Sequence, residues 1–282
     1  MKGLKDRFEG VTERPDFLYT GLLWGVAEAY GLASGPKGKK VVIEKTGKWR
    51  FYAPLQEPDL FLSFARLASH GKPSAKSVLR WVSKYGLPRK ADEGWDDVEL
   101  RDDKLNQAPV LVDSFAAEAL EARSALALYT DLSVGGVKAL RKRIRNLREE
   151  YDRGGKLSEI DRYFATEWGE EAGKMDKYRR GNLQFVATAY LEGFVRNRLE
   201  GVRPALWSDE TSGGWAGRYR PTQSWKCPDL LSAVYLQFYL LMTNTLAMRV
   251  CENPACRMPL PVTRKNRRFC NSTCRSNMRH YR

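Results

Sequence analysis

Apolar residues recur along most of this chain at helical spacing. Leu60, Phe61, Phe64 and Leu67 follow Pro58-Asp59 and predict a helix to about Ser69. After His70-Gly71-Lys72-Pro73, Val78, Trp81 and Val82 define a second helix from about Ser74 to Tyr85, stopped by Gly86. Residues 113–152 read as two helices broken near Ser133-Val134-Gly135-Gly136, and Val137, Leu140, Ile144, Leu147 and Tyr151 mark the inner face of the second. Asn182 to Leu199 is a further amphipathic helix. Asp229 is placed to cap the long helix that follows, which is apolar on nearly all faces and is expected at the centre of the core.

Other stretches carry a different pattern. Val41-Val42-Ile43-Glu44 and Trp49-Arg50-Phe51-Tyr52, separated by Thr46-Gly47, predict a β-hairpin. Phe17 to Ala33 reads as a short apolar helix ended by Ser34-Gly35-Pro36. Residues 87–108 are polar and acidic and predict a surface loop. Residues 201–226 read as a Gly- and Trp-rich connection containing Trp207, Trp215 and Trp225. The expected fold is mostly α with a small β-hairpin near the N-terminus, α+β overall. Residues 1–250 form the helical body, and residues 251–282 form a separate C-terminal module.

Composition narrows the class. Of the 282 residues, 43% are hydrophobic and 29% charged, the balance of a globular chain rather than a disordered one. The first residues, Met1-Lys2-Gly3-Leu4-Lys5-Asp6-Arg7-Phe8-Glu9, lack the apolar stretch of a signal peptide. The most apolar run, Leu230 to Val250, is interrupted by Ser232, Gln237, Thr243, Asn244, Thr245 and Arg249, which fits a buried helix better than a membrane span. Both features predict a soluble cytoplasmic protein with no membrane partner.

The cysteines change the picture most. Four of the five fall in the last 32 residues, as Cys251-x4-Cys256, thirteen residues, then Cys270-x3-Cys274; Cys227 stands apart. Two short-spaced pairs joined by a reversing segment with Pro259 and Pro261 can supply the tetrahedron of soft donors that zinc prefers. Four free thiols or two disulfides are the alternatives. Clustering, the missing signal peptide and basic surroundings count against them. Four thiolates leave no coordination position for water, so such a zinc would be structural. A module this short buries little core, and metal is a natural staple for it.

The same segment is strongly basic. Arg257, Arg264, Lys265, Arg267, Arg268, Arg275, Arg279 and Arg282 face the single acid Glu252, so half of the chain's net charge of +14 lies here. Dense positive charge attracts polyanions through counterion release. Arg264, Lys265, Arg267, Arg268, Arg275 and Arg279 are the candidate nucleic-acid contacts, to DNA more than RNA. A solubilising surface or an acidic protein partner would use the same charges.

The stretch Cys251-Glu252-Asn253-Pro254-Ala255-Cys256, followed by Arg267-Arg268-Phe269-Cys270-Asn271-Ser272-Thr273-Cys274-Arg275, resembles the bacterial CGNR zinc-finger family. Members of that family carry an N-terminal ABATE-type domain. Phe61-Leu62-Ser63-Phe64-Ala65, Val82-Ser83-Lys84-Tyr85-Gly86-Leu87 and the helix from Leu230 to Met248 look like further parts of it. At the last ligand the family has Cys-Gly-Asn-Arg, where this chain has Cys274-Arg275-Ser276-Asn277. The resemblance implies a DNA-binding transcription regulator whose body senses a signal or forms a homodimer.

Weaker signals have plainer readings beside them. The helix pair over Leu60 to Gly86 could be a helix-turn-helix presenting Arg80 and Lys84, but the core would claim Trp81 and Val82. The basic helix from Lys138 to Arg148 could follow phosphates or simply be a solvated face. The three tryptophans at 207, 215 and 225 could stack on bases, though such residues more often pin a loop to the core. Glu167, Glu170 and Glu171 form one acidic cluster. With His70 and His280 the only histidines, and no phosphate loop or nucleophile elbow, the chain carries no recognisable catalytic motif.

Overall fold

Where the sequence suggests an apolar helix near the N-terminus, the chain forms strands. In the computed structural model, β1 (Trp24–Ala27) and β2 (Tyr30–Ser34) pair antiparallel with β4 (Trp49–Tyr52) and β3 (Lys40–Glu44). The structure describes residues 24–45, 48–57, 59–69, 71–88, 110–169, 177–208, 221–243, 248–253, 259–261, 268–269 and 272–279. Residues 17–23 of the expected helix and the acidic segment from residue 89 to 108 lie outside them.

Gly25 and Gly31 explain the first correction, since each costs a helix about 1 kcal/mol relative to Ala. Trp24, Val26 and Tyr30 also suit a pleated surface. Strands at 40–44 and 49–52 are present as expected, but they do not pair with each other. Trp24 stands opposite Tyr52, and Tyr30 opposite Glu44. The ladders therefore form one bent ribbon whose reversal lies at Pro36–Gly38, not at Thr46-Gly47, which is outside the described residues. Residues 28 and 29 on one side meet 48 and 45 on the other, held by Glu28 N–H to the Lys48 carbonyl and Lys45 N–H to the Ala29 carbonyl. A short strand β5 (Val110–Leu111) joins β3 at its free edge.

The helices follow the apolar spacing, except that Tyr151, expected on an inner face, is 41% exposed. α1 (Leu60–Arg66) buries Leu60, Phe61, Leu62, Phe64 and Ala65, and α2 (Ala75–Tyr85) buries Val78, Trp81, Val82 and Tyr85. Ser74 caps α2 by accepting from the Ser77 N–H. Gly86 ends it at φ 92°, where a Cβ would lie 2.9 Å from the Gly25 carbonyl and from the Trp24 indole nitrogen. That site excludes any side chain and locks α2 under the ribbon. Trp81 meets Phe64 and Phe115 edge-on and donates its indole N–H to Ser63. The core thus takes Trp81 and Val82, the plainer of the two readings. Arg80 stays exposed, and the Lys84 ammonium lies on the neighbouring Tyr85 hydroxyl.

α3 (Val112–Thr130) and α4 (Gly136–Asp152) are separated by a π-turn at Asp131–Gly135, with Gly136 at φ 57°. α5 (Glu159–Trp168) starts at the Ser158 cap and packs against α4. Glu167 lies exposed on α5, while Glu170 and Glu171 lie outside the described residues. Arg143 turns inward from α4 to Asp161, 2.6 Å away, and the Ser124 hydroxyl donates to the same carboxylate. α6 (Lys177–Arg198) begins a turn earlier than its apolar spacing suggests.

α7 (Leu230–Met242) is the centre of the body. Asp229 caps it through the Ser232 N–H, as expected, and nearly every residue from Leu230 to Leu241 is buried. Phe238 stacks on Phe61, and Tyr235 reaches the α3 carboxylate of Glu118, which the α6 guanidinium of Arg198 also meets. Gln237, one of the polar interruptions, accepts from the Phe61 N–H and donates to the Glu57 carbonyl. Its amide completes backbone groups that an apolar side chain would leave unpaired. Among the described residues no helix is long and apolar enough to cross a membrane.

The expected connection at 201–226 is a second correction. β6 (Arg203–Ser208) and β7 (Pro221–Lys226) pair over six positions. Trp225 packs beside Leu55, Cys227, Ala233, Leu236 and Leu240, pinning this hairpin to α7. Trp207 lies in β6, and Trp215 is outside the described residues. The fold is mostly α with small antiparallel sheets.

Candidate metal centre

In the C-terminal segment, β8 (Met248–Val250) pairs antiparallel with β9 (Pro259–Pro261). The first cysteine pair falls in the segment joining them, and Cys251 follows β8 directly. Farther along, α8 (Ser272–Arg279) carries Cys274 in its first turn. Cys251 and Cys274 come together in one buried cluster, 2% and 8% exposed, with Phe269 packed against them. A hairpin thus delivers one cysteine and a helix start the other, from opposite ends of the segment.

Two polar links hold these parts in register. The Glu252 N–H donates to the Arg268 carbonyl at 3.0 Å. The Arg268 guanidinium returns to Glu252, with Nε 2.7 Å from both carboxylate oxygens and Nη2 against Oε2. Both side chains are exposed, so the pair contributes orientation more than stability. Glu252 holds the Arg268 guanidinium proton more firmly than usual. Asn253 is buried beside Cys251 in sequence.

Cys256 and Cys270 lie outside the described residues. Among the described residues there is no group of three or more His, Cys, Asp or Glu side chains arranged to hold a metal ion. Cys251 and Cys274 are the two described members of the four-thiol set, and their shared burial suits sulfur ligation. Cys256 follows Cys251 by five positions, and Cys270 precedes Cys274 by four. Four cysteines would offer sulfur alone, the donor set zinc takes in structural sites. The N-terminal amides of α8 favour negative charge on such thiolates.

The basic residues divide. Arg275 is exposed on α8, and Arg279 ends the same helix. Arg268 is engaged by Glu252, an arrangement that sequence reasoning missed. Its one available signal was that Glu252 is the segment's only acid. Arg264, Lys265, Arg267 and His280 lie outside the described residues, as does His70.

Cys227 is of another kind. It sits 5% exposed among Leu55, Ala233, Leu236 and Leu240, and burial, with Asp229 nearby, pushes its thiol up to about 12. Thiolate is the reactive form, so this thiol is inert near neutrality. Iodoacetamide at pH 8 is expected to leave Cys227 unmodified in the folded protein and to label it fully in guanidinium. Peptide mass mapping checks this, and rapid native labelling would contradict the packing.

No family model matches the chain, and no curated protein or solved structure matches it either.

Proposed function

We propose that this protein is a DNA-binding regulator that uses a zinc-held C-terminal finger. The observation that carries the reading is the joint burial of Cys251 and Cys274, in a segment dense in arginine. Cys251, Cys256, Cys270 and Cys274 would hold the metal. Zinc supplies a cross-link there, fixing hairpin to helix with no open position for a reacting water. The resemblance to CGNR zinc fingers supports the same reading.

The protein's own residues do the binding. Arg275 and Arg279 lie four positions apart on α8, a spacing of about one turn. Together with Arg264, Lys265 and Arg267 they form the phosphate-contacting set. Arg268 braces the finger through Glu252 and contributes to contact second. The helical body then senses a signal or brings two chains together, and the protein works in the cytoplasm. No catalytic role is assigned.

The experiment is duplex-DNA binding across a salt series on zinc-quantified protein. Affinity is expected to fall steeply with salt, with a log–log slope smaller in magnitude by about 0.9 for each phosphate contact removed. Arg275→Gln/Arg279→Gln should lower the slope by about 2 on that basis, and Cys270→Ser/Cys274→Ser should weaken binding further still. Salt-insensitive binding, or binding that ignores the cysteines, would overturn the reading. A stoichiometric complex with an acidic protein that DNA does not displace would favour a protein-interaction module instead.

A further inference from the structure

We infer that α4 carries a second phosphate-binding face, which grips the DNA backbone alongside the finger. This inference rests on the reading of the protein as a DNA binder, but on residues far from the cysteines.

From Gly136 to Arg148 the helix has six basic residues and no acid. The fold sorts them. Leu140, Ile144 and Leu147 face the core, and Arg143 is drawn inward to Asp161. Lys138, Lys142 and Arg145 recur at four and three positions, which places them on one face opposite that apolar row. All three are exposed, and none forms an ion pair among the described residues. Arg141 lies along the same face.

This charge order works against the helix that bears it. Helix dipoles favour acids in the first turn and bases in the last. Here the first turns hold Lys138, Arg141 and Lys142, while Glu149, Glu150 and Asp152 close the helix. Lys138 with Lys142, and Arg141 with Arg145, are like-charge neighbours at four-residue spacing, which adds repulsion. A face arranged for helix stability would be the reverse. A polyanion laid along it removes both costs.

The dimensions fit a nucleic-acid strand. Lys138 to Arg145 spans about 10 Å of helix axis. One strand of duplex DNA rises about 3.4 Å per phosphate along the duplex axis while also turning about it, so successive phosphates lie farther apart than that rise and the row spans roughly two to three of them. A membrane surface suits it less well. Interfacial helices present large apolar residues to the lipid, whereas the apolar row of α4 is spent on the core.

The test compares four proteins in the same DNA salt series: wild type, Lys138→Gln/Lys142→Gln/Arg145→Gln, the Arg275→Gln/Arg279→Gln finger variant, and the charge-preserving Lys138→Arg/Lys142→Arg. The glutamine variant is expected to lower the slope by about 2.7, with melting temperature unchanged or higher, and the arginine variant is expected to keep the wild-type slope. An unchanged slope in the glutamine variant overturns the α4 face, whatever the finger variant does. A lowered slope there with no effect in the finger variant supports the α4 face and overturns the finger reading. Failure of the wild type to bind DNA, with or without binding to phosphatidylserine vesicles, overturns both.

Discussion

If zinc holds the C-terminal segment as proposed, treatment with a chelator, or replacing Cys274 by Ser, is expected to unfold residues 248–279 and leave the helical body folded. The physical case is how small the apolar core of this segment is among its described residues. Its described apolar cluster is Cys251, Cys274 and Phe269. Its hairpin is three residues long on each side, and two of the three β9 positions are Pro259 and Pro261, which have no N–H for the ladder. A lone two-stranded hairpin is marginal in water. The Arg268–Glu252 pair is exposed and adds little. Structural zinc contributes about 10–16 kcal/mol to folding in small zinc peptides, more than enough to decide the outcome. Hydrogen exchange read by mass spectrometry checks it. Amides of residues 248–253 and 272–279 should lose protection on chelation, while those of α3, α4 and α7 keep theirs. A segment that stays protected without metal, or a purified protein with far less than one zinc per chain, would refute the zinc-held finger. Acid should mimic the chelator, because thiolate ligands must shed their protons to bind and regain them as pH falls.

Phe61→Ala is expected to destabilise the body by about 3–5 kcal/mol. Phe61 is 2% exposed, stacks on Phe238 with ring centroids 4.4 Å apart, and touches Tyr235 at a tilt. Its backbone N–H is also the group that Gln237 accepts from. Truncation therefore opens a cavity at the junction of α1 and α7, where an amide network limits how far the walls can relax. Urea unfolding provides the measurement, with a lowered midpoint at constant slope. Phe185→Ala is the control: that ring is 74% exposed, and its loss should stay within about 0.5 kcal/mol. Equal effects for the two phenylalanines would mean that Phe61 does not sit in a close-packed core.

What the chain reveals before folding is mostly local. Helix positions are set by spacing, and helix ends by residues that act within one turn. The Ser74 and Asp229 caps, the Gly86 stop and the break before Gly136 are all of this kind, and all appear where the spacing places them. Residues 41–44 and 49–52 announce themselves as strands for the same reason. The cysteine spacing is local too, and it is enough to nominate the metal centre.

Pairing is not local, and there the tertiary structure decided. Thr46-Gly47 is a sound turn signal, yet β3 and β4 take their partners from 24–34, an apolar run whose glycines weaken a helix but whose pairing is fixed only when a second strand lies beside it. Likewise, β6 and β7 gain hydrogen bonds from each other and anchorage from Trp225 on α7, neither of which is visible in the composition of 201–226. Six basic residues on α4 look alike in sequence. Spacing already turns Leu140 and Ile144 inward; the fold, by placing Asp161 beside Arg143, draws that one base in and leaves Lys138, Lys142 and Arg145 exposed. In the finger it turns Arg268 onto Glu252, because two charges far apart in sequence meet only after the chain has brought them close.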